Sequence, residues 1–144
     1  MKIKLIEFER FRQPTRAHYN DAGADVYCKE KTFIWPHETK KIPLGFGVEI
    51  PNGFMGLVLP RSGLSSKGIF TQAAPIDSGY RGEIHAITTN TNNQKYKINE
   101  GDRIGQLVII PIVLADFVTR DLNSREDKGF GSTGKWNFVN INIG

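Results

Sequence analysis

The sequence predicts an all-β sandwich or barrel, on three observations. Short runs rich in β-branched residues recur along it, Gly, Pro and Asn turns separate them, and no window carries a sustained 3.6-residue apolar period. In chain order the strand-like runs are Lys2-Ile3-Lys4-Leu5-Ile6, Gly47-Val48-Glu49-Ile50, Met55-Gly56-Leu57-Val58-Leu59, Ile84-His85-Ala86-Ile87-Thr88, Tyr96-Lys97-Ile98 and a long one from Gln106 through Val113. One short helix is expected near residues 62–67. The 144 residues contain no Pro/Gly/Ser-rich interior linker and no internal repeat, so residues 1–144 read as one domain. Such a domain buries about two thirds of its unfolded surface.

Composition narrows the function classes. Lys and Arg number 19 against 15 Asp and Glu, a net charge of +4, which suits an anionic ligand and is too small to argue for nucleic acid. The aromatic residues are scattered rather than interleaved with basic ones, so no direct nucleic-acid binding is expected. Cys28 is the only cysteine, which excludes an intrachain disulfide and fits a reducing cytoplasm. Charges at Lys2, Lys4, Glu7, Glu9 and Arg10 interrupt the N-terminus, and no run approaches membrane-spanning length. The expectation is a cytoplasmic protein with no membrane partner.

Three polar blocks carry the chemistry. Ile76-Asp77-Ser78-Gly79-Tyr80-Arg81-Gly82 places a carboxylate, an aromatic ring and a guanidinium in one turn between strand-like runs. A hairpin with an Asx cap at Asp77, and Gly79 available for a positive φ, explains part of it. A ring against a sugar beside a carboxylate base explains Tyr80 and Asp77 together. Pro60-Arg61-Ser62-Gly63-Leu64-Ser65-Ser66-Lys67-Gly68 brings cations, hydroxyls and glycine-freed amides out of a strand, which suits a polyphosphate. The alternative there is a short helix capped at Ser62 with Lys67 solvated. Gly129-Phe130-Gly131-Ser132-Thr133-Gly134 again suits phosphate, with Phe130 as a flat cover for a base. Gly129 to Lys135 also fits part of a P-loop, but Trp136 follows the lysine and neither flank is a strand or helix of the required kind.

With two further blocks, the chain resembles the trimeric dUTP pyrophosphatases (dUTPases) from about residue 20 to residue 134. The five motifs in order are Asp21-Ala22-Gly23-Ala24-Asp25-Val26, residues 60–68, residues 76–84, Gly101-Asp102-Arg103-Ile104-Gly105-Gln106, and residues 125–134. The chain departs from the usual pattern at Gln72-Ala73-Ala74-Pro75, where the family commonly has a glycine before Ile-Asp, at Gly105, where alanine is common, and at Glu126, where glycine is frequent. Pro75 removes one N–H donor from the segment with which the family reads uracil.

The resemblance implies a distorted jelly-roll barrel, a homotrimer with active sites shared between subunits, and Mg²⁺-dependent hydrolysis of dUTP to dUMP and pyrophosphate. That reaction keeps uracil out of DNA and supplies dUMP for dTMP synthesis. It implies Asp77 as the base for a water attacking the α-phosphorus, and Gln106 as a group placing that water. Arg61, Ser62 and Gly63 would contact phosphates, and Asp25 would hold Mg²⁺ through water. Tyr80 would lie against deoxyribose and exclude a 2′-hydroxyl, while Thr71, Pro75 and Ile76 would flank uracil. Arg125, Phe130, Gly131, Ser132 and Thr133 would close over the nucleotide in a segment expected to order on binding, and residues 135–144 receive no role. A dCTP deaminase is the nearest enzymatic alternative, although its extra carboxylate signature is not visible. A regulatory protein partner, as bound by some phage-type relatives, would use residues 10–16 or the C-terminal tail.

Overall fold

The computed structural model describes residues 1–121. Expectations for residues 125–144 lie outside them. The chain divides into two units, Met1–Val113 and Leu114–Gly144, the second described only at 114–121.

The first unit is built of strands β1 (Lys4–Glu7), β2 (Ala24–Tyr27), β3 (Thr32–Ile34), β4 (Thr39–Pro43), β5 (Phe46–Glu49), β6 (Phe54–Leu59), β7 (Ile69–Gln72), β8 (Pro75–Ile76), β9 (His85–Asn90), β10 (Tyr96–Ile98) and β11 (Arg103–Pro111). They pair as β1-β5, β3-β10, β2-β11-β6-β8 and β4-β9-β7, antiparallel throughout. No helix among the described residues is long and apolar enough to cross a membrane.

Alternation explains the layers. In β9 the side chains of Ala86, Thr88 and Asn90 are buried while His85, Ile87 and Thr89 are partly open, the period of two that a half-buried strand requires. Phe46, Ile34, Ile42, Leu44, Val48 and Ile104 form the centre of one apolar cluster, each with no more than 1% exposure. Asn90 is buried with its partners supplied: its amide donates to the carbonyls of Ile34 and Gln94 at 2.9 and 2.8 Å, and its oxygen accepts from the Asn92 N–H. No buried side-chain polar atom among the described residues lacks a hydrogen bond, as the cost of burying unpaired groups demands.

Strand ends follow the available partners. β1 starts at Lys4 rather than Lys2 because β5 pairs only from Lys4↔Glu49 to Glu7↔Phe46. β11 starts three residues before Gln106, through a bulge between Arg103 and Gly105 against β2, and ends at Pro111. The expected helix is shorter than residues 62–67: α1 covers Ser62–Ser65. Arg61 is its N-cap and makes no side-chain cap hydrogen bond, so Ser62 is the first helical residue and not a cap. The chain leaves this turn through Gly68 at φ +81°, a conformation that favours glycine.

The turn at residues 76–82 is not a hairpin between paired strands. β8 pairs with β6 and β9 pairs with β4 and β7, so the turn passes from one sheet to another. Its bond runs from the Tyr80 N–H to the Asp77 carbonyl at 3.1 Å. Gly79 is not among the positive-φ residues, so the turn does not use its freedom.

Candidate active site in two parts

Four of the five motifs converge on the sheet β2-β11-β6-β8. Gln106 of β11 lies opposite Asp25 of β2 on one side and Leu59 of β6 on the other. Leu59 leads directly through Pro60 to Arg61. The Gln106 side chain lies over Gly23, where a Cβ would sit 2.8 Å from both its Cβ and its Oε1. Glycine at 23 therefore gives Gln106 its position. Gly105 is equally constrained, since a Cβ there would meet the Leu59 carbonyl oxygen at 2.9 Å. This chain's glycine in place of alanine fits that close approach of β11 to β6.

Around this point the side chains suit a polyphosphate. Arg61 Nη1 donates to the Arg103 carbonyl at 3.3 Å, and Arg103 Nε lies 3.7 Å from Asp25 Oδ2. Arg61, Lys67 and Arg103 line one cavity of about 250 Å³ together with Asp102. Three cations face one carboxylate there, which favours a multiply charged anion. Ser62 and Gly63 are exposed at the start of α1, and a Cβ at Gly63 would meet nothing within 4 Å. Their amides are open to a ligand approaching close to the backbone. Arg103 has no role in the sequence reading, although it stands inside the fourth motif. Its part is visible only once the fold sets it between Arg61 and Asp25.

The second part is a cavity of about 270 Å³ whose lining includes Gln72, Pro75, Ile76, Asp77, Tyr80 and Glu83. Asp77 is exposed, and its carboxylate makes no hydrogen bond or ion pair with the described residues, so the side chain does not cap its own turn. The Tyr80 ring is 45% exposed, and its hydroxyl donates to the Glu83 carbonyl at 2.7 Å. A Cβ at Gly82 would meet that hydroxyl at 2.5 Å; glycine lets the ring lie across the backbone. Arg81 turns away, donating to the Ser78 carbonyl and standing 3.8 Å from Glu49. Pro75 pairs opposite Leu57 on β8, an edge strand of its sheet, where proline is tolerated. Thr71 is outside the cavity lining: it is buried, with its hydroxyl 3.1 Å from that of Thr88.

Glu83 anchors this loop. Its Oε2 lies 2.7 Å from Lys29 Nζ and accepts from the Gly45 N–H at 2.8 Å. Burial pushes its carboxyl up, but the hydrogen bonds from Lys29 and Gly45 and the charge of Lys29 outweigh this and hold it below the usual carboxylate range. Nothing in the sequence joins Lys29 to Glu83 across 54 positions.

The two parts do not meet within one chain. Asp77 follows Ile76, which pairs with Gly56, whereas Gln106 pairs with Leu59. At strand spacings that separates them by about 13 Å along β6 and about 10 Å across it.

The dUTPase family model matches residues 9–134. A deoxyuridine 5'-triphosphate nucleotidohydrolase of Leifsonia xyli is 42% identical over 130 residues, covering 85% of this chain and 86% of its own. One of Tropheryma whipplei is 40% identical over 142 residues, covering 94% and 97%. Among solved structures, the dUTPase from phage phi11 of S. aureus is similar with a TM-score of 0.79 and 29% identity, over 84% of this chain and 97% of its own. The motif order, the sheet that gathers four of the motifs, and these likenesses place the chain in the dUTPase family, with that family's jelly-roll fold.

Proposed function

We propose that the protein hydrolyses dUTP to dUMP and pyrophosphate, with Asp77 and Tyr80 acting at one end of the nucleotide and Arg61, Arg103 and Gln106 at the other. The observation that carries this reading is the cavity that sets an unpaired carboxylate beside an exposed tyrosine ring. The Asp77 carboxylate takes the proton of a water that attacks the α-phosphorus, and the α–β bridging bond breaks as pyrophosphate leaves. Gln106 holds that water. Arg61, Arg103 and Lys67 stabilise charge on the departing phosphates, and Ser62 and Gly63 supply amides and a hydroxyl. Tyr80, held by Glu83, fills the space that a 2′-hydroxyl would need. Pro75 and Ile76 border the base, and Thr71 supports their strand connection from the buried layer. Arg125, Phe130, Gly131, Ser132 and Thr133 act on the phosphates and the base of the same nucleotide.

Mg²⁺ fits the donors present. Asp25 is a single carboxylate, 19% exposed, suited to an ion that keeps its water and is bound mainly by phosphates. A related phage phi11 dUTPase variant is described with a structural Mg(II) ion. When bound, Mg²⁺ neutralises phosphate charge; Asp25 orients its water shell.

The active form is a homotrimer in which the two parts of the site come from different copies. Their separation along β6 supports this, as do Val113, Leu114, Phe117 and Val118, 74–97% exposed, since exposed apolar groups in series mark contacts. The buried free thiol of Cys28 suits a reducing cytoplasm. A phage 80alpha dUTPase variant is described with dUpNHpp, which supports dUTP as the substrate here.

Pyrophosphate release with Mg²⁺ from dUTP, dTTP, dCTP and UTP in parallel tests the reading. Release from dUTP alone is expected. Equal release from dTTP or UTP would contradict the roles of Pro75 and Tyr80, and ammonia release from dCTP would indicate a deaminase.

A further inference from the structure

Aromatic and basic residues that are dispersed in the sequence meet on the outer face of the ribbon β3-β10. Ile34 points into the core at 0% exposure, so Lys31, Phe33 and Trp35 take the opposite face. Lys97 lies opposite Phe33 in the register, which puts Lys97 and Lys95 on that face too. Lys95 Nζ stands 4.5 Å from the Phe33 ring centre and 5.1 Å from that of Trp35, and Lys31 Nζ is 5.8 Å from Phe33. Trp35 is 56% exposed. Beside it a cavity of about 390 Å³ is lined by Phe33, Trp35, Lys31, Lys40 and Lys41.

Charge on this face is one-sided. Among the described residues no carboxylate pairs with Lys31, Lys40, Lys41, Lys95 or Lys97. Glu30, which also lines the cavity, pairs with Arg10 at 3.5 Å, and Glu38 accepts from the Trp35 N–H at 3.0 Å. Lys31 and Lys95 stand near the rings, Lys97 lies across the ribbon from Phe33, and Lys40 and Lys41 line the cavity, with Lys40 Nζ donating to the Phe33 carbonyl at 3.0 Å. They match a flexible polyanion that carries planar groups: phosphates meet ammonium groups while bases stack on rings.

We propose that this face binds single-stranded nucleic acid, at a site centred on Phe33 and Trp35 that adjoins the Asp77–Tyr80 cavity only at Lys41, which lines both. A base stacking on Trp35 displaces Lys95 from the ring, and the freed ammonium faces the adjoining phosphate. Phe33 takes the next base, and Lys40 and Lys41 follow the backbone along the cavity. Recognition is through charge and stacking, so it is tolerant of sequence and weakens steeply with salt. It also provides a way for an enzyme acting on free nucleotides to be held near the polymer they enter.

The test is fluorescence anisotropy of the full-length protein with a labelled oligothymidylate of about 12 nucleotides, at salt on the order of 50 mM and 200 mM. Binding is expected at the lower salt. Trp35→Ala should weaken it about 5-fold or more, Trp35→Phe should retain most of it, and Lys95→Ala with Lys97→Ala should reduce its salt dependence. All of these variants should keep dUTP turnover. No binding at low salt, binding indifferent to these substitutions, or binding abolished by saturating dUpNHpp would overturn the proposal. A changed assembly mass in the Trp35 variants without any change in oligonucleotide binding would also overturn it, and would make the face a subunit contact.

Discussion

Replacing Asp77 by Asn should lower dUTP turnover by about 10²–10⁴-fold, the usual contribution of a general base, while substrate binding persists. The carboxylate is exposed in its cavity and makes no hydrogen bond or ion pair with the described residues. Asn occupies nearly the same space and cannot take a proton, so the loop and the Tyr80 contact to Glu83 should stand. Equilibrium binding of dUpNHpp with single-turnover hydrolysis separates the two effects. A variant keeping more than about a tenth of wild-type kcat would remove Asp77 as the base.

Lys29→Met should destabilise the protein by about 3 kcal/mol at neutral pH, because it leaves the Glu83 carboxylate without its cation in a nearly buried position. Lys29 and Glu83 side chains are only 10% and 18% exposed, which is why the expected loss exceeds that of a surface pair. The sign of the pH dependence follows from Glu83. Its folded carboxyl is held below the ordinary 4.5, so the pair's contribution is present above that value and fades as pH falls through the folded one. Urea unfolding should show wild type and Lys29→Met converging in acid and diverging toward neutrality. Adding Glu83→Gln to Lys29→Met should recover much of the loss at neutral pH, since no unpaired charge is then left buried. A loss below about 0.5 kcal/mol for Lys29→Met would show the pair to be incidental. The same variant loosens the loop that carries Tyr80, so discrimination against UTP should fall alongside stability.

The sequence shows most of the strands where local pattern and tertiary pairing agree. Tyr96–Ile98 appears as expected because β3 pairs with those three residues. β1, β5 and β10 are similarly short, but β2, β3, β4, β7 and β8 carry no local pattern that sets them apart and exist because neighbours pair with them. The motifs single out Asp25, Arg61, Asp77, Tyr80 and Gln106 as candidates, but not the distance between the two groups they form, which depends on the register of β6 with β8 and β11. Long-range partners stayed hidden for the same reason. Lys29 and Glu83, or Trp35 and Lys95, are distant in the chain and share no local signal. The hairpin expected at residues 76–82 fails because Gly and Asp mark a turn without saying whether its two arms pair with each other.

Mixing two inactive variants tests the division of the site most directly. Asp77→Asn lacks the base and Arg61→Ala lacks a phosphate contact, and each should be nearly inactive alone. In a one-to-one mixture with free subunit exchange, sites that take Arg61 from one chain and Asp77 from another are intact about a quarter of the time. A site divided between subunits predicts dUTP hydrolysis recovering to about a quarter of the wild-type rate. No recovery, with exchange verified by mass, would contradict it and place both halves of the site in a single chain.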